Sequence, residues 1–190
     1  MSRPKNMVVR YNTFLFADLC DYTEQSFRHG DEFAAELAVG FHVLVRELAE
    51  DEGCEFVKAA GDAVTVRAID VADAIRLADR IHASIRRVGY PPVRIGIDTG
   101  PAVPRDGDWY GTTVNRAARV AEAARPNEML LTDRARAALG ACSSEVRFVS
   151  RGLRQLKGLP RSRLHAAYAR PDRPSAARPL GDGQRRVIAS

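Results

Sequence analysis

Apolar and polar positions alternate along this chain with two different periods. Residues 8–18, VVRYNTFLFAD, are rich in β-branched and aromatic side chains and predict a strand ending at Asp18. Two helical stretches follow. The longer one, about Asp31 to Glu52, sets Phe33, Leu37, Phe41, Leu44 and Leu48 on one face, with Asp31 as N-cap and Gly53 as the stop. In CEFVKAA-GD-AVTVRA, two short β-type runs flank Gly61-Asp62. A two-residue Gly-X loop predicts a hairpin, because glycine tolerates the positive φ of a type II′ turn, and Asp62 falls at its tip.

Asp70 opens another amphipathic helix with Ile75, Ala78, Ile81 and Ile85 inward, and Pro91-Pro92 ends it. VRIGIDTG (93–100) predicts a strand, 101–109 a Pro/Gly/Asp loop, and 110–124 a helix of small residues: Val114, Ala117, Ala118, Ala121 and Ala124. EMLLTD (128–133) predicts a short strand, followed by a short helix to about Leu139 and two last strands in VRFVSRG and near LHAAYA. The order β-αα-ββ-α-β-α-β-α-ββ contains a βαββαβ unit with extra elements. The expected class is α+β, an α/β sandwich with a ferredoxin-like core and additional strands and helices.

At 190 residues with 45% hydrophobic content, the chain suffices for one core with some tail left over. No run approaches ~18 consecutive apolar residues, and the N-terminus lacks the apolar stretch of a secretory signal. A cytoplasmic protein with no membrane partner is expected. Cys20, Cys54 and Cys142 cannot all pair within one chain and form no CxxC, so reduced thiols are expected and a zinc site is not. His29, His42, His82 and His165 show no pairing at catalytic spacing and are taken as structural. The net charge of +5 is uneven: residues 151–190 carry ten Lys/Arg against Asp172 and Asp182, a local +8, which leaves −3 for the first 150. The Arg residues there are spread among Pro, Ser, Gly and Ala, without aromatic interleaving after Tyr168. Residues 170–190 therefore predict a solvated, disordered basic tail and no nucleic-acid partner.

Seven polar residues fall where the pattern predicts strand ends, turns or a helix start: Asp18, Lys58, Asp62, Asp108, Asn115, Arg119 and Lys157. Asp18 and Asp62 each follow an apolar run. At one sheet edge they can bridge two divalent cations; as isolated residues they equally suit a helix cap and a turn former. Asn115 and Arg119 share a helix face among small neighbours, which permits close approach to a ligand. Lys157 lies in a turn, where a lysine is ordinarily just solvated.

Five segments, taken in order, resemble the class III nucleotidyl cyclase catalytic domain, the adenylate and guanylate cyclase family. They are Phe16-Ala17-Asp18-Leu19, Lys58-Ala59-Ala60-Gly61-Asp62-Ala63, Arg94 through Pro101 (RIGIDTGP), Gly111 through Arg119 (GTTVNRAAR), and Leu156-Lys157-Gly158. The resemblance spans roughly residues 10–169 and implies a catalytic domain over 8–169. It implies that Asp18, Leu19 and Asp62 are metal-holding positions for two divalent ions, Mg²⁺ or Mn²⁺. It implies that Asn115 positions the ribose, Arg119 stabilises the α-phosphate, Lys157 holds the terminal phosphates, and Lys58 with Asp108 reads the base.

Lysine only donates and an ionised aspartate only accepts, so that pair fits adenine N1 and N6 and mismatches guanine. Cytosine repeats the adenine pattern on a smaller ring. The family implies a C2 homodimer in which each site takes its metal aspartates from one subunit and its other residues from the partner. The nine residues between Asp98 and Asp108 are fewer than the dimerisation arm of many relatives. The leading expectation is an adenylate cyclase converting ATP to 3′,5′-cyclic AMP and pyrophosphate. The alternatives are a pyrimidine nucleotide cyclase of bacterial anti-phage signalling, and a non-catalytic nucleotide-binding module.

Overall fold

The computed structural model describes residues 10–140, 144 and 146–169. Strand β1 (Arg10–Leu19) leads into helices α1 (Tyr22–His29) and α2 (Asp31–Asp51). The hairpin β2 (Glu55–Ala60) and β3 (Ala63–Ala68) follows, then α3 (Val71–Val88) and the long β4 (Val93–Arg105). After β5 (Asp108–Tyr110) and α4 (Thr112–Glu122) come β6 (Met129–Thr132), α5 (Asp133–Ala138), β7 (Val146–Arg154) and β8 (Ser162–Ala169).

The sheet has eight strands in the order β2-β3-β1-β4-β6-β8-β7, with β5 paired to β4. Its first four strands form the expected ferredoxin-like unit: β1 lies between β3 and β4, antiparallel to both. Helices α2 and α3 cover one face. There Leu15, Ala17 and Leu19 of β1 meet Phe41, Leu44 and Leu48 of α2 and Ile75, Ala78, Ile81 and Ile85 of α3 in the main core. Each such fully buried Leu, Ile or Phe side chain contributes about 1.5–3 kcal/mol. Among the described residues, no helix is long and apolar enough to cross a membrane.

Asp70 caps α3 as expected, its side chain accepting from the backbone N–H of Asp73 at 2.9 Å. Other details differ. Asp31 is the first residue of α2, not its cap, and its carboxylate accepts from the Ser26 hydroxyl instead. Phe33 does not join the buried stripe and is 44% exposed. The expected loop at 101–109 is a hairpin: β4 runs on to Arg105, and Arg105 pairs with Asp108 across Asp106-Gly107. Both turn residues have positive φ, 52° and 77°, the two-residue type I′ geometry that a Pro-containing run conceals. His165 is buried and pairs with Asp133 at 2.8 Å, a contact between β8 and the start of α5 that the sequence does not indicate. Cys20 and Cys54 are free and buried. Cys142 and the basic segment 170–190 lie outside the described residues.

Candidate functional site: one sheet face and its hairpins

Alternation along β1 sends Phe14 and Phe16 to the face opposite α2 and α3, and Asp18 follows them there at the strand end. Phe14 packs on this face with Ala102, Trp109 and Ala117, flanked by the half-buried Phe16, Val57 and Val114. Helix α4 lies across it. The helix approaches β4 closely at Gly96: a Cβ there would meet the Ala121 backbone nitrogen at 2.2 Å and the Ala117 carbonyl at 2.3 Å. The run of small residues in α4 is the other half of that contact, since Ala117 and Ala121 are buried against the strand.

Asp18 sits in register with Ala63 of β3 on one side and Arg94 of β4 on the other. The Arg94 guanidinium donates to its carboxylate. Asp62 occupies the hairpin tip. Ala60 pairs with Ala63, and Gly61 takes φ +60°, so the turn has the expected two residues. Two contacts hold the tip in place: the Leu19 N–H donates to the Asp62 carbonyl at 3.3 Å, and His42 Nε2 donates to the Gly61 carbonyl at 2.9 Å. The pKa of Asp18 is raised, first by burial and then by the negative charge of Asp62, while Arg94 opposes both.

A carboxylate whose pKa is raised by a second negative charge is an arrangement that a divalent cation relieves. Two carboxylates with main-chain and phosphate oxygens suit hard ions such as Mg²⁺ or Mn²⁺. The Leu19 side chain is buried in the core, so only its main chain is available to such an ion. Among the described residues, no group of three or more His, Cys, Asp or Glu is placed to hold a metal ion.

The second group forms beside the first. A register shift between Phe56 and Lys58 re-aims β2, and Lys58 Nζ reaches Asp108 Oδ2 at 2.6 Å. The other oxygen, Asp108 Oδ1, accepts from the Trp109 backbone N–H at 2.7 Å. These contacts hold the Asp108 carboxyl below its usual range, the Lys58 hydrogen bond most of all. Trp109 is itself buried edge-on against Phe14, while Tyr110 is exposed.

The third group lies on α4. Asn115 and Arg119 share its outer face, with Arg119 ion-paired to Glu122. Glu122 also adds to the raised pKa of Asp18, so the C-terminal end of α4 approaches the first carboxylate. Lys157 is exposed in the β7–β8 turn. Its neighbour Leu156 packs with Val120 and Ala124, which sets that turn beside the same helix end. Within one chain no hydrogen bond or ion pair joins Asn115, Arg119 or Lys157 to Asp18 or Asp62 among the described residues.

Sequence reasoning passed over Arg94 and Glu122. Arg94 stands inside a recognised segment, and only the antiparallel register of β1 and β4 sets it opposite Asp18.

This fold and this face define a nucleotidyl cyclase homology domain. Residues 8–168 match the family described as the adenylate and guanylate cyclase catalytic domain. The chain is 36% identical over 135 residues to a pH-sensitive adenylate cyclase of Mycobacterium tuberculosis, covering 69% of this chain and 33% of that protein. It is 35% identical over 130 residues to an adenylate cyclase of Streptomyces griseus, covering 68% and 32%. Among solved structures, the adenylyl cyclase CyaB of Pseudomonas aeruginosa shares the fold at TM-score 0.77 and 19% identity, covering 90% of this chain and 100% of that one. An adenylate/guanylate cyclase/hydrolase of Silicibacter pomeroyi superposes at TM-score 0.74 and 25% identity, covering 87% and 99%. The chain belongs to the class III adenylate and guanylate cyclase catalytic-domain family. It spans about a third of the length of the curated relatives it matches.

Proposed function

We propose that this domain is an adenylate cyclase that closes ATP to 3′,5′-cyclic AMP and pyrophosphate at sites formed between two copies of the chain. The observation that carries the reading is the placement of Asp18, at the end of β1 in register with Ala63, beside the hairpin tip that bears Asp62, close enough for the charge of Asp62 to raise the pKa of Asp18. Two divalent cations held there, when bound, supply charge neutralisation at the triphosphate and a lowered pKa for the ribose 3′-hydroxyl.

The chain's own residues do the rest. Asp18 and Asp62 face the triphosphate, and the Leu19–Asp62 and His42–Gly61 contacts keep the hairpin tip in place. Asn115 orients the ribose so that its 3′-oxygen lies in line with the α-phosphorus. The 3′-hydroxyl releases its proton to solvent, and the new bond from its oxygen to the α-phosphorus forms as the bond from that phosphorus to the oxygen bridging to the β-phosphate breaks, with pyrophosphate leaving. Arg119 stabilises the charge gathering on the α-phosphate, and Lys157 holds the departing pyrophosphate. Lys58 donates to adenine N1 while Asp108 accepts from N6. The aspartates come from one subunit and Asn115, Arg119, Lys157 and the base-reading pair from the other, so a C2 dimer carries two sites. The relatives named as adenylate cyclases support ATP as the substrate.

The test is incubation of the purified chain with each of the four nucleoside triphosphates and Mn²⁺, followed by identification of the product. Cyclic AMP from ATP, lost in Asp62→Ala and in Arg119→Ala with the fold retained, is expected. Cyclic CMP as the dominant product identifies the pyrimidine cyclase instead. Nucleotide binding without pyrophosphate release identifies a non-catalytic module.

A further inference from the structure

Beneath α4 lies a buried charge that the reaction itself does not use. Asp98, on β4, is fully buried. Its Oδ1 accepts from the Thr132 hydroxyl and from Arg134 Nε, both at 2.6 Å, and its Oδ2 pairs with a second nitrogen of Arg134. The same Arg134 reaches on to the Thr113 hydroxyl at 3.2 Å, and that hydroxyl donates to the Pro101 carbonyl at 2.8 Å. Arg116 brings a second guanidinium to 3.8 Å from Asp98 Oδ2, with its own Nε buried and without a hydrogen-bond partner among the described residues. One carboxylate thereby ties together β4, β6, α5 and the first two turns of α4.

The contacted residues of α4, Thr113 and Arg116, lie on either side of Asn115 in the chain. They face the sheet, and Asn115 and Arg119 face away from it. Apolar packing at Gly96 sets how closely α4 lies on β4 but leaves its rotation weakly specified, because the small side chains of Ala117 and Ala121 have little shape. Directional hydrogen bonds at residues 113 and 116 specify rotation. Room for them is kept at Gly100, where a Cβ would come within 2.8 Å of Arg134 and 2.9 Å of the Thr113 hydroxyl.

We propose that Asp98, acting through Arg134 and Arg116, is the positioning residue that sets the rotation of α4 and so aims Asn115 and Arg119 at the reacting phosphate. The proposal rests on the cyclase reading for its consequence, though not for its structural content. A helix aimed wrongly by an ångström loses transition-state contacts more than ground-state binding, since the base-reading pair and the metal aspartates sit on other elements.

The experiment compares the purified wild-type chain with Arg134→Gln, Arg134→Lys and Asp98→Asn. Arg134 is partly exposed, and Arg116 stays beside Asp98 when Arg134 is replaced; circular dichroism and urea unfolding give the folded fraction of each variant, and kinetics are compared per folded molecule. Each is measured for kcat, for KM of ATP with Mn²⁺, and for amide hydrogen exchange across residues 112–122. Arg134→Gln is expected to lower kcat by roughly ten-fold or more with KM within about two-fold, and to speed exchange in α4 while α2 and α3 are unchanged. Arg134→Lys, which keeps the charge but not the fork, falls between. Unchanged kcat with unchanged α4 exchange overturns the proposal, as does an activity loss that only follows the fraction of folded protein. A wild-type chain that makes no cyclic nucleotide overturns the cyclase reading alone. The exchange in α4 then decides the clamp: faster in Arg134→Gln supports it, unchanged refutes it.

Discussion

The charge of Asp62 is the second largest cause, after burial, of the raised pKa of Asp18, although 44 positions separate the two in the chain. A ligand that binds only the folded arrangement stabilises it by mass action, about 2.7 kcal/mol at a hundred-fold excess over its dissociation constant. Mn²⁺ without nucleotide is therefore expected to raise the melting temperature of the wild-type chain in a saturable way. Asp62→Asn removes one donor and the mutual repulsion, so this variant should melt higher than wild type without metal and respond little to Mn²⁺. Thermal scans over a Mn²⁺ titration check both; an equal Mn²⁺ response in the variant counts against the paired-carboxylate site.

Gly96→Ala forces a methyl group against the backbone of α4 at distances of 2.2–2.3 Å, where no side chain can yield. The helix has to lift, at a cost of roughly 1–3 kcal/mol of stability. Because Asn115 and Arg119 ride on that helix, kcat should fall at least ten-fold at temperatures where the protein stays folded. Urea unfolding together with steady-state kinetics measures both effects.

Asp79, on α3, is raised to about 6 by burial, against an opposing pull from Arg86. Its charged form is disfavoured in the folded state, so the fold loses stability as pH climbs from 3.8 through about 6, and the loss is complete above that. Asp79→Asn mimics the protonated side chain. It should stabilise the protein by something on the order of 2 kcal/mol at pH 8 and by almost nothing near pH 4. Denaturation midpoints at the two pH values decide it, and a gain that is equal at both removes the buried-charge explanation.

Lys58 and Asp108 hold each other before any base is present. Replacing Lys58 with Ala leaves Asp108 without its charge partner and removes the proposed donor to adenine N1. The value of kcat/KM for ATP should drop by about ten- to a hundred-fold, with little change in that for GTP, whose base edge the pair mismatches. Competition assays with mixed triphosphates read this ratio directly.

If each site draws on two subunits, Asp62→Ala and Arg119→Ala should be inactive separately and recover together. A mixed population in which half the dimers carry one intact site reaches about a quarter of wild-type activity. Mixing the two purified variants and assaying cyclic AMP tests this; no recovery after proven subunit exchange points to a site complete within one chain.

Local chemistry made much of this molecule legible before any coordinates. The Asp70 cap, the Gly61-Asp62 turn and the inward stripe of α3 follow from short-range rules that need no partner. The expected loop at 101–109 failed for a physical reason. Proline and glycine ordinarily break regular structure, yet here β4 supplies a neighbour that turns the segment into a hairpin and carries Asp108 back to Lys58. Phe33 matches the helical stripe of α2 but sits in its first turn, 44% exposed and against the His29 ring of α1. The Asp98 cluster left no trace in periodicity, because an aspartate within a β-rich run has no pattern that names its partners.

The sequence by itself determined the elements, the candidate residues and the family, since these depend on local propensity and on motifs kept in order. Only the tertiary structure decided that Arg94 and Ala63 flank Asp18, that α4 rests on Gly96, and that Asp98 gathers two arginines beneath it. Those relations come from strand register and helix packing. Both are fixed by burying apolar area between segments far apart in the chain, and no short window of residues encodes them.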